Sequence, residues 1–158
     1  MIDAVRSTAV QLAATHRLFH HGLDSLTREQ LLAQPSGHEN PMLWLALHMA
    51  QVRVQFARVF GTTIEFPWPG FKRGEARTDP TTWPELTDVA RLYDEAHVAI
   101  LAGLEGVTVE WLAEPKGAMP GLGDGRYGTL ALMALHECYH CGQISQLRRS
   151  LGLDGLVG

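Results

Sequence analysis

Cysteine is scarce: Cys138 and Cys141 are the only two among 158 residues. A secreted disulfide scaffold would want more, spread along the chain, so a reducing compartment, the cytoplasm, is expected. Long hydrophobic runs are missing as well. The apolar stretches are interrupted by His, Arg or Gln within a few residues, and none reaches the ~20 apolar residues of a membrane span. The first residues show no basic segment leading into an apolar one, so no secretory signal is read. There is no excess of positive charge: 13 Lys plus Arg stand against 17 Asp plus Glu, with a pI near 6.0. Nucleic-acid-binding domains usually carry a basic face or a pI above ~9, and the only adjacent basic residues here are two short pairs, Arg148-Arg149 and Lys72-Arg73. No nucleic-acid partner and no membrane are therefore expected. Nor is the chain poor in hydrophobic residues, as disordered chains are. At 46% hydrophobic and 19% charged it has the composition of an ordinary globular domain, and residues 1–158 read as one such domain.

What is plentiful is histidine, eight residues against those 13 Lys plus Arg. Histidine is the commonest metal ligand among side chains, so the surplus needs an explanation.

The apolar pattern is helical nearly throughout. Ile2, Val5, Ala9, Leu12, Phe19 and Leu23 mark a first helix, with Gly22 near its end. Thr27 and Gln30 fit a capping box opening a short turn. Asn40-Pro41 reads as N-cap and N1 of a second long helix running to Gly61. Residues 61–82, rich in Gly and Pro and carrying Phe66, Trp68 and Phe71, read as a loop. Those aromatics either form a lid over a site or pack as a satellite core. Thr82, with Glu85 three residues on, is read as the cap of a third helix ending near Gly103 to Gly106. A glycine-rich stretch from Pro115 to Gly128 precedes a fourth helix, about Thr129 to Leu151, and the last six residues are expected to fray. The fold class is all-α: a four-helix bundle with long 2–3 and 3–4 connections.

Positions four apart share a helix face. His136 and His140 therefore lie together on the apolar side of the last helix, and His48 lies on the inner side of the second. Facing helices of a bundle build metal sites in this way, and three histidines leave a fourth position open for water or substrate. The opposing reading is a set of core histidines bonded to backbone or hydroxyl groups. His16 and His20 on the first helix and His97 on the third also turn inward, so wheel arithmetic offers six candidates and does not choose among them. His21 and His38, at a helix end and in a loop, need no special account.

The string His136-Glu137-Cys138-Tyr139-His140-Cys141-Gly142-Gln143-Ile144, followed by Leu147-Arg148-Arg149 and Leu151-Gly152, resembles the last-helix signature of the DinB/YfiT-like superfamily. Trp44-Leu45-Ala46-Leu47-His48 is similar to the family's second-helix segment, and the resemblance extends over essentially the whole chain, including Trp83. It implies an up-down-down-up bundle and a divalent metal, zinc or nickel, held by His48, His136 and His140. It also implies metal-dependent chemistry on a small molecule, with a low-molecular-weight thiol as a cosubstrate, because the family includes thiol-S-transferases.

A divalent cation on three neutral imidazoles would lower the pKa of a thiol or of water. The first choice leads to thiol transfer and the second to hydrolysis. Gln143, one turn past His140, is a candidate to orient a ligand or line the pocket. Trp44, Tyr139, His20 and His97 are weaker pocket candidates. Glu137 is placed on the rim, and Cys138 and Cys141 are read as packing or interface residues. The alternative function is a non-catalytic, stress-associated metal-binding bundle, with a homodimer formed through apolar helix faces.

Overall fold

The computed structural model describes residues 1–37, 40–71, 79–115 and 125–157. The helices are α1 (Asp3–Leu23), α2 (Arg28–Leu32), α3 (Met42–Val59), α4 (Leu86–Glu105), α5 (Val109–Ala113) and α6 (Gly125–Ser150), with a 3-10 turn at Pro80–Thr82. No strand occurs among the described residues, so the all-α expectation holds.

The four long helices touch in a closed cycle, α1 to α6, α6 to α3, α3 to α4 and α4 to α1. The reason lies in their apolar rows. α1 buries Val5, Leu12, Phe19 and Leu23 along one stripe, and α4 buries Val89, Tyr93, Ala96, Ile100 and Leu104 along another. α3 is buried almost all round from Met42 to Ala50, because it is packed on both α4 and α6. Burying one Leu or Phe stabilises by ~1.5–3 kcal/mol, against ~1 kcal/mol for a helix cap. The apolar rows therefore fix how the helices pack, and the caps trim their ends.

Thr27 makes the foreseen capping box, accepting from Gln30 N while Gln30 Oε1 accepts from Thr27 N. Gly61, with φ 83°, supplies the left-handed residue just past the end of α3. Other boundaries differ. Pro41 is itself the N-cap of α3, with ψ 156° holding it extended, so α3 begins at Met42. Thr82 does not cap α4. Pro84 forces Trp83 out of the helical region, to ψ 144°, and α4 starts only after Glu85. α5 was not anticipated, although Thr108 caps it by accepting from Trp111 N. α6 starts at Gly125, four residues ahead of Thr129.

Residues 153–157 are not frayed, and Gly158 lies outside the described residues. Leu156 is buried, its N–H donates to Ser145 Oγ, and Arg148 ties the tail to α1 by donating to Asp154 O and Gly22 O. No helix among the described residues is long and apolar enough to cross a membrane.

Candidate metal centre

His136 and His140 stand one turn apart on α6, and α3 brings His48 to meet them. Their Nε2 atoms converge: His136 to His48 is 3.0 Å and His140 to His136 is 3.1 Å. The three ligand atoms all lie within 4.8 Å of one another. His48 and His140 are buried and His136 is half-buried, so the cluster sits just inside the bundle surface.

Neighbouring groups hold the rings. His140 Nδ1–H donates to Gln143 Oε1 at 2.6 Å, which leaves His140 Nε2 with its lone pair aimed at the cluster. Gln143 Nε2 in turn donates to the Tyr139 hydroxyl at 3.4 Å. Trp44 stacks on His48 with centroids 5.2 Å apart. Phe71 packs against Trp44 and is tied to α3 through Gln51, which donates to its carbonyl. The aromatic loop thus covers the ring that steadies His48; residues 72–78 lie outside the described residues. Gln143 also lines a cleft of about 690 Å³ together with Asn40, Leu45, Gln146 and Leu147.

The donor set fits a divalent cation. Two ~2.0–2.1 Å zinc–nitrogen bonds at a tetrahedral angle place their nitrogens ~3.3 Å apart, close to the spacings observed. Three imidazoles without a carboxylate suit zinc, nickel or copper better than magnesium or calcium.

The other singled-out residues separate clearly. Gln143, Trp44 and Tyr139 touch the cluster histidines, although Tyr139 is 62% exposed. His20 and His97 do not join it. Both His16 and His20 point Nε2 at Asp94 Oδ1, at 2.8 and 2.7 Å, and His97 stacks on His16 at 4.1 Å. Burial, reinforced by the charges of Arg53 and His16, pushes His97 down to about 4. Burial lowers His20 as well, but there the hydrogen bonds to Asp94 and Asp24 outweigh it and raise the pKa. His21 is exposed, and His38 lies outside the described residues.

Glu137 is not on the rim. Its side chain is fully buried, as is that of Arg53, which donates from Nε and Nη2 to the two carboxylate oxygens at 3.2 and 2.9 Å. The Tyr93 hydroxyl donates to the same carboxylate, and the Arg53 guanidinium lies 3.6 Å over the Tyr93 ring. Burial, then the Glu137 charge, pushes Tyr93 well above its ordinary value. The signal in sequence was a charge in the middle of each of two apolar helices. The rim assignment failed because α6 packs on both α1 and α3 and so buries more than one face. Cys138 is exposed and Cys141 buried, with Cys141 pushed up to about 12 by burial and then by Glu137.

Fold and site together define a helical bundle protein whose core presents three convergent imidazoles. The chain belongs to the DinB superfamily, whose family model matches residues 11–144. Its fold is similar to the crystal structure of a conserved protein from Enterococcus faecalis, with a TM-score of 0.73 over 96% of this chain and 99% of that one. Identity with that protein is 16%, so the likeness is one of fold. No curated protein matches the sequence.

Proposed function

We propose that His48, His136 and His140 hold a divalent cation, zinc or nickel, and that the protein is a metal-dependent enzyme acting on a small molecule, with thiol transfer ahead of hydrolysis. The observation that carries this is the convergence of three Nε2 atoms, one with its tautomer set by Gln143. When bound, the cation supplies Lewis acidity that makes a thiol or water a stronger nucleophile at neutral pH. The chain's own residues do the rest. Gln143 keeps the His140 proton on Nδ1, and Trp44 restrains the His48 ring. The cleft that Gln143 lines, with apolar Leu45 and Leu147 beside polar Asn40 and Gln146, offers room for a small molecule on the Gln143 side of His140.

The test is metal content of untagged protein by mass spectrometry, comparing wild type with His48→Ala and His136→Ala. Each variant is expected to lose one equivalent of metal. Unchanged stoichiometry in both variants would sink the assignment. Turnover is then sought by offering electrophiles with several low-molecular-weight thiols. Activity that depends on both thiol and metal supports transfer, and activity with metal and water alone supports hydrolysis.

A further inference from the structure

We propose that His16, His20 and Asp94 form a second divalent-metal site, on the α1–α4 side of the bundle and separate from the three-histidine cluster. His16 and His20 stand one turn apart on α1, and Asp94 reaches them from α4. Both Nε2 atoms converge on Asp94 Oδ1, at 2.8 and 2.7 Å, and the three ligand atoms lie within 4.8 Å of one another. Two imidazoles and one carboxylate are a donor set for zinc and iron(II) with positions left open.

A second observation points the same way. Both carboxylate oxygens of Asp24 lie at His20 Nδ1, at 3.0 and 3.2 Å. Nδ1 therefore carries the proton. A carboxylate behind a histidine in this manner orients it and raises the basicity of its other nitrogen toward a metal. The His16 ring is fixed independently, stacked on His97 at 4.1 Å and on Tyr93 at 5.7 Å. The donors are thus held before any ion arrives.

Access is open. His20, Asp24 and Asp94 line a cleft of about 370 Å³, and the side chains of His16, His20 and Asp94 are 24%, 26% and 46% exposed. Without metal, the same atoms form a hydrogen-bonded network in which His20 donates from both nitrogens. An entering cation displaces the Nε2 proton of His20 to solvent, His16 shifts its own Nε2 proton to Nδ1, and the cation takes the place of both protons between the two nitrogens and Asp94.

The experiment is a titration of chelator-stripped, untagged protein with Co²⁺, followed by calorimetry and visible absorption. Wild type is expected to bind two equivalents. His136→Ala should retain one, His20→Ala should retain one, and the double variant none. Asp24→Ala should weaken the second equivalent by ~10–100-fold without touching the first. Asp94→Asn, which keeps the shape of the side chain, repeats the test should His20→Ala fail to fold by circular dichroism. If His20→Ala and Asp94→Asn keep the full wild-type stoichiometry, the second site does not exist. If wild type binds one equivalent that only His136→Ala abolishes, this site falls and the three-histidine assignment stands. If only His20→Ala abolishes it, the reverse holds.

Discussion

Replacing Glu137 by glutamine removes one charge from a pair that water does not reach. Both side chains are 0% exposed, and Arg53 engages the carboxylate through two hydrogen bonds, 3.2 and 2.9 Å long. At ~4 Å and an effective dielectric constant of ~20, two unit charges attract by ~4 kcal/mol. Breaking a buried pair from one side typically costs ~3–5 kcal/mol, because the remaining charge stays desolvated. For a chain of this length each kcal/mol moves the melting temperature by ~2–4 °C, so Glu137→Gln should lower it by roughly 6–20 °C. The same rule separates loss of a charge from loss of packing. Replacing the whole group with apolar residues (Arg53→Met, Glu137→Leu and Tyr93→Phe, the last to avoid a stranded hydroxyl) should recover most of the loss. Calorimetry and urea unfolding with a chelator present would read this without a contribution from bound metal. A loss below ~1 kcal/mol for Glu137→Gln, or a triple variant less stable than the single one, would refute the reasoning.

Two further outcomes follow from packing and protonation. A Cβ at Gly103 would sit 2.3 Å from Phe60 Cγ and 2.6 Å from its Cβ, so Gly103→Ala should destabilise by ~1–3 kcal/mol through overpacking; net stabilisation, as helix propensity alone would give, would contradict it. His97 takes up a proton near pH 6.5 in the unfolded chain but only near pH 4 in the folded one. Its contribution is therefore fully present above pH 6.5 and is lost as pH falls toward 4, by about 3 kcal/mol at most. Metal-free His97→Phe, which preserves the stacking on His16, should lose less stability than wild type across that window. Equal pH slopes in urea unfolding would count against it.

The long helices were legible because their apolar positions recur at the helical period, and that signal is local. His136 and His140 were legible as neighbours for the same reason: four residues is one turn. The ends were harder. Asn40-Pro41 carried the right signal one residue early, and Thr82 looked like a cap until Pro84 is considered as a constraint on Trp83. The tail was misread because Leu156 is buried against Gly22, a residue near the other end of the chain.

The sequence by itself determined that this protein is helical, which residues share a helix face, and that histidines are concentrated on inner faces. It also carried the last-helix string by which the family is recognised. The resemblance of that string already pointed to His48, His136 and His140, and the tertiary structure decided where each of the six inward histidines goes. Three meet as α3 packs on α6, and two meet Asp94 as α1 packs on α4, with His97 stacked alongside. Likewise a charge in the middle of α3 and another in the middle of α6 became one buried pair, Arg53 with Glu137. The physical reason is that helical periodicity fixes angles around one axis. Which side chains meet across two axes depends on how the helices are packed together, and that is a property of the whole core.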